Sequence, residues 1–155
     1  MVLVTLAVAA FLGAAPAGPP AENPFALFER VVHCGLGWRV AVYPSGRAHQ
    51  KVEDTCLREE PYSRDHELSS EGVASLRRAL DEAEFTSLPD EVRAESLYPD
   101  EDAFVITVYE KGGEKRVLAR GLERASSPEA RRFRAVWELL ADLVPGPRAE
   151  EQRRR

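Results

Sequence analysis

The sequence is short of the residues most enzymes use for chemistry. It carries three histidines, two cysteines and one methionine in 155 residues. There is no G-x-S-x-G elbow, no phosphate-binding glycine loop, no H-E-x-x-H and no calcium loop with the required glycine and spacing. His33, His49 and His66 fall on a strand end, a strand and a loop, so a zinc site drawing on them needs a convergence that the strand pattern does not support. Positive charge is in deficit too: 21 Lys and Arg stand against 26 Asp and Glu, a net charge of −5. No basic field gathers phosphates, which argues against nucleic acid as a partner. A long apolar run is also missing. Val2–Leu12 is too short to cross a bilayer as a mature helix.

What that run does offer is a targeting signal. The uncharged MVLVTLAVAAFLGAA is followed by Ala15-Pro16-Ala17, with small residues where a signal peptidase reads. Residues 1–17 are therefore expected to be a signal peptide cleaved near Ala17. No Lys or Arg precedes the run, so either the free amino terminus supplies the positive charge or the true start lies upstream. No stable membrane span is expected after cleavage, and the mature chain is expected to be exported, periplasmic or secreted. Residues 18–24 read as a Pro-rich linker, 25–145 as a single domain, and 146–155 as a disordered charged tail.

Within the domain, Phe25–Val32, Trp38–Tyr43 and Arg47–Asp54 read as three strands. Pro44-Ser45-Gly46 joins the last two as a three-residue hairpin, with Gly46 in the left-handed conformation. Leu57–Leu68 reads as a polar loop. Ser69 is a good N-cap, and Val73, Leu76, Leu80 and Ala83 follow at helical spacing over residues 70–84. Asp90–Asp102 reads as a long acidic loop. Phe104, Ile106 and Val108 start a second hairpin, turned at Gly112-Gly113. That turn pairs Lys111 with Glu114, Glu110 with Lys115, and Val108 with Val117. Ser127-Pro128 opens a last helix with Phe133, Val136, Trp137, Leu140 and Val144 in its core stripe. The order βββ-α-ββ-α predicts an α+β fold. It has an antiparallel sheet of about five strands and two helices packed on one face.

The first hairpin sets a register in which facing residues have numbers that sum to 90. Trp38 then faces Val52, Val40 faces Gln50, and Cys34 faces Cys56. In an extended rung the Cys34 and Cys56 Cα atoms would come within about 4.5 Å, inside the reach of a disulfide. If the glycines at 35 and 37 break the strand, Cys34 sits in the turn before it and the bridge is still in reach. Two free buried thiols are the alternative. Export favours the bridge.

No catalytic residue, metal ligand or cofactor is assigned. Acidic clusters at Asp65-His66-Glu67 and Asp100-Glu101-Asp102 read as solvated loops, with cation binding or paired-carboxylate hydrolysis as the alternative. The loops also combine aromatic and charged groups of the kind protein interfaces favour. Tyr62, Arg64 and His66 lie in one, and Tyr98, Asp100 and Asp102 in the other. These six are the candidate partner-binding residues.

Three stretches carry a resemblance: VYPSGRA, LSSEGVASLRRALDEAEFTSLPD, and YPDEDAFVITVYEKGGEKRVLARG. Across residues 26–144 the chain resembles small bacterial domains of unknown function, many of them exported. Across residues 68–144 it resembles emfourin, a small protein inhibitor of thermolysin-type metalloproteases. The signal peptide and the cysteine pair depart from emfourin, and no inhibitory residue is carried over. The resemblance implies a non-enzymatic, monomeric, exported binding domain whose partner is an exported protein such as a protease. A cell-envelope structural module is the alternative.

Overall fold

A computed structural model describes residues 22–56 and 58–147. The expected signal peptide at 1–17, most of the expected linker at 18–24 and nearly all of the expected tail at 146–155 lie outside the described residues. The seven strands are β1 (Ala26–Val31), β2 (Leu36–Val42), β3 (Arg47–Asp54), β4 (Tyr62–Glu67), β5 (Glu91–Arg93), β6 (Ala103–Glu110) and β7 (Gly113–Arg120). The helices are α1 (Ser70–Glu82) and α2 (Pro128–Leu143). One sheet runs β4-β3-β2-β1-β6-β7-β5. Every neighbouring pair is antiparallel except β5 with β7, which is parallel. The fold is α+β, as expected, with a mixed sheet of seven strands in place of an antiparallel one of about five.

The β2–β3 hairpin forms as its turn residues dictate. Tyr43 N–H donates to Arg47 C=O at 2.9 Å, and Gly46 N–H donates to Tyr43 C=O at 3.0 Å. Gly46 has φ +98°, where an L side chain is strained. Trp38 pairs with Val52, Val40 with Gln50 and Val42 with Ala48, so the sum of 90 holds throughout. The turn is fastened on both sides. Leu68 N–H donates to Gly46 C=O at 2.8 Å, and the Glu22 carboxylate accepts from Ser45 N–H and Oγ at 2.7 and 2.6 Å. A Cβ on Gly46 would stand 2.5 Å from the Leu68 carbonyl oxygen. Gly46→Ala is therefore expected to lower stability by about 2 kcal/mol or more. A urea midpoint that drops with an unchanged m-value would show it.

Three expectations need correction. The segment read as a polar loop, 57–68, contains β4, and the acidic loop, 90–102, contains β5. The second hairpin turns at Lys111-Gly112, with Glu110 paired to Gly113, Val108 to Lys115 and Ile106 to Val117. Each pairing is thus two residues from the expected one. A slip of two keeps every side chain on its own face, so the apolar pattern does not distinguish the two registers. Lys115 is bound instead to Asp90 at 2.6 Å, just before β5. The expected pairs Lys111–Glu114 and Glu110–Lys115 do not face each other.

α1 and α2 cover the sheet face that carries Phe28, Val40, Val52, Ile106 and Val117, all essentially buried. Ser69 caps α1 by accepting from Gly72 N–H at 3.0 Å, and Ser127 caps α2 by accepting from Ala130 N–H at 3.1 Å. Val73, Leu76 and Leu80 face Phe133, Val136 and Leu140 in one core. The opposite sheet face has no layer over it among the described residues, and Val31 and Tyr109 stand exposed there.

Candidate functional site

The side-chain period of two along a strand puts Phe28 and Arg30 on the same face of β1, and Trp38 and Val40 on the same face of β2. Arg30 pairs with both Trp38 and Phe104. At this end of the sheet the covered face therefore ends in a cation between two aromatic rings. The helical period brings Phe133, Trp137 and Ala141 of α2 above it. Trp137 stacks on Trp38 at 5.2 Å between centroids, meets Phe104 edge-on at 4.8 Å, and touches Phe28 and Phe133 beyond.

The chain leaves α2 through Pro145-Gly146, and a groove opens between that exit and the sheet. One hollow of about 410 Å³ is lined by Arg30, Cys34, Trp38, Asp102 and Gly146, among others. A second, of about 380 Å³, shares Arg30, Trp38 and Gly146 with it and adds Phe104, Trp137 and Glu138. A third joins both through Asp102, Phe104 and Glu123. Together they run as one furrow with an aromatic floor and a charged rim.

The rim is held by ion pairs. Arg30 Nε donates to Asp102 Oδ2 at 2.9 Å, and its Nη2 donates to the same oxygen. Arg124 pairs with Glu101 and lies over the Tyr98 ring, 4.3 Å from its centroid. Arg134 donates to the carbonyls of Leu122 and Ala125. The Cys34–Cys56 disulfide, expected from the register, closes the near end of the furrow with Cα atoms 5.2 Å apart. β2 begins at Leu36, so Cys34 sits in the bend before the strand. Beside the bridge, the Asp54 carboxylate accepts from the N–H groups of Cys56, Arg58 and Glu59 at 2.9, 2.9 and 3.1 Å. Those N–H groups, Cys56 first, hold its pKa below the ordinary carboxylate value.

The six candidate partner-binding residues fall into two groups. Tyr98, Asp100 and Asp102 belong to the loop that forms the furrow's rim. Tyr62, Arg64 and His66 lie on β4 at the sheet edge. Four strand spacings separate β4 from β6, about 19 Å, so the two groups do not make one patch. On β4, Arg64 lies over Tyr62, 4.8 Å from its centroid. His66 Nε2 meets Gln50 Oε1 at 3.1 Å, and Gln50 Nε2 donates to Pro145 C=O at 3.3 Å. Gln50 is buried. This chain of hydrogen bonds ties the edge strand to the exit of α2. His49 faces Asp65 across β3 and β4, with Nδ1 and Oδ1 2.8 Å apart. Among the described residues, no three His, Cys, Asp or Glu side chains are grouped to hold a metal ion.

Burial, with Arg64 alongside, pushes the His66 imidazole below its ordinary pKa, and Asp65 opposes this only in part. The unfolded chain therefore binds a proton more readily than the folded one. His66 contributes no penalty above the unfolded pKa of about 6.5, and stability falls as the pH drops below it. His66→Gln is expected to flatten the slope of urea midpoint against pH between 7.5 and 5.5.

Sequence reasoning missed the furrow. Trp38, Phe104 and Trp137 were legible only as core positions, and Arg30 not at all. The available signal was chemical: a buried tryptophan needs a partner for its N–H, and the chain's two tryptophans both lie on core faces. No family model matches the chain, and no curated protein matches it.

Proposed function

We propose that this chain is an exported, non-enzymatic binding domain whose partner is another exported protein. The furrow carries the reading. It brings aromatic rings and an arginine to one concave site, with a polar rim around them, and such groups anchor protein interfaces. The disulfide fits an oxidising compartment. Among the described residues no helix is long and apolar enough to cross a membrane. The sharper form of the reading is inhibition of a thermolysin-type metalloprotease, and it rests on the likeness of residues 68–144 to emfourin.

Two experiments test these levels separately. Capture from the native organism's exported fraction is expected to yield one dominant protein, and this protein is expected to be lost with Trp38→Ala. Capture unaffected by every furrow substitution would remove the furrow from the reading. Incubation at micromolar concentration with thermolysin-type proteases is expected to reduce their activity. Unchanged activity would remove the inhibitor reading and leave the binding domain.

A further inference from the structure

Resting on that reading, we infer that the furrow receives an extended segment of the partner bearing lysine or arginine. Two independent observations point to this occupant.

The first is a pair of idle donors. Trp38 and Trp137 are each 8% exposed, yet neither indole N–H has a hydrogen-bond partner among the described residues. A fully buried donor left unpaired is costly. Glu101 Oε2 is the one fully buried side-chain polar atom without a partner among the described residues. Both indole nitrogens therefore keep a path to solvent, and both tryptophans line the hollows of the furrow. A Cβ on Gly146 would stand 3.9 Å from Trp38 Nε1, which places that nitrogen against the furrow wall. Two N–H donors that no protein group engages, set among aromatic rings, are free to bond acceptors of a ligand. Main-chain carbonyls of an extended peptide supply them in series.

The second is charge. The furrow is lined by five carboxylates and three guanidinium groups. All three guanidinium groups are engaged, as described above. Asp100, Glu123 and Glu138 are exposed and have no ion pair among the described residues. The free charge of the rim is thus negative. It repels an acidic segment and attracts a basic one. An arginine or lysine entering between the rim carboxylates would also approach the aromatic floor, where a cation is favoured.

The chain's only two tryptophans both lie in the furrow, so their fluorescence reports on it directly. Three capped octapeptides serve as probes on the full-length protein: alternating Gly-Lys, Gly-Glu and Gly-Ser. The Gly-Lys peptide is expected to give a saturable fluorescence change. Its affinity should fall on the order of fivefold in Glu123→Gln/Glu138→Gln, the size expected for two exposed charge pairs, and should fall again with added salt. Trp137→Phe, which keeps a ring and removes an N–H, should weaken binding under conditions where urea unfolding shows the variant still fully folded. Equal or tighter binding of the Gly-Glu or Gly-Ser peptide would overturn the basic occupant. So would Gly-Lys binding that the carboxylate variant leaves unchanged. A fluorescence change on diluting the protein alone would assign the furrow to a second copy of this chain and also overturn it. If the peptides fail while capture of the exported partner persists, this inference falls and the binding-domain reading stands. If capture fails as well, both fall.

Discussion

Trp137→Ala is expected to lower the unfolding free energy by about 4 kcal/mol, in the middle of the range for a buried aromatic. The reason is the number of rings that meet there. Trp137 stacks on Trp38 and Phe133, and it touches Phe28 and Phe104 from the side. Truncation removes those ring contacts and leaves a cavity between α2 and the rings of β1, β2 and β6. Trp137→Phe keeps most of the ring contacts, so its loss should be less than half as large. Equilibrium urea unfolding of the two variants checks both values. A similar loss for the two would mean that the indole N–H matters to folding and not only to the furrow.

Removal of the disulfide is expected to be the next largest change. Cys34 and Cys56 are 22 residues apart, and closing a loop of that length stabilises the fold by about 3 kcal/mol on the chain-entropy model. The loss in Cys34→Ser/Cys56→Ser should match the loss on reduction of the wild type. The bridge also holds one wall of the furrow, and Asp54 fixes the turn after Cys56 through three N–H groups. Reduction should therefore weaken ligand binding before it unfolds the domain. Thermal unfolding with and without reductant, paired with a binding titration at a temperature where both forms are folded, separates the two effects.

Where turn chemistry was explicit, the register was legible. Pro44-Ser45-Gly46 permits one hairpin geometry, and the pairings it implies run to Leu36 and Asp54. The disulfide followed from that register. The second hairpin offered no such constraint. Lys111, Gly112 and Gly113 accommodate two turns, and strand periodicity is blind to a slip of two residues. The choice is accompanied by a contact to Asp90, 25 residues away in sequence. β4 was illegible because YSRDHE is polar on both faces, as suits an edge strand. β5 is three residues long and pairs only with β7, with one core residue, Val92, to mark it. The furrow was hidden for a related reason. Its floor was visible as core, but its rim comes from β1, the loop before β6, the loop after β7, and α2. No local pattern brings Arg30, Asp102, Glu123 and Glu138 together.

The central claim is that ligand contact happens at the furrow floor. The most direct measurement is a ¹H–¹⁵N correlation spectrum of the full-length protein during titration with the Gly-Lys peptide. Two tryptophans give two indole N–H signals, free of overlap with the amides. Both are expected to shift and saturate together, along with the amides of residues 100–104 and 138–146. Indole signals that stay fixed while the amides of β4 or the open sheet face respond would contradict the account.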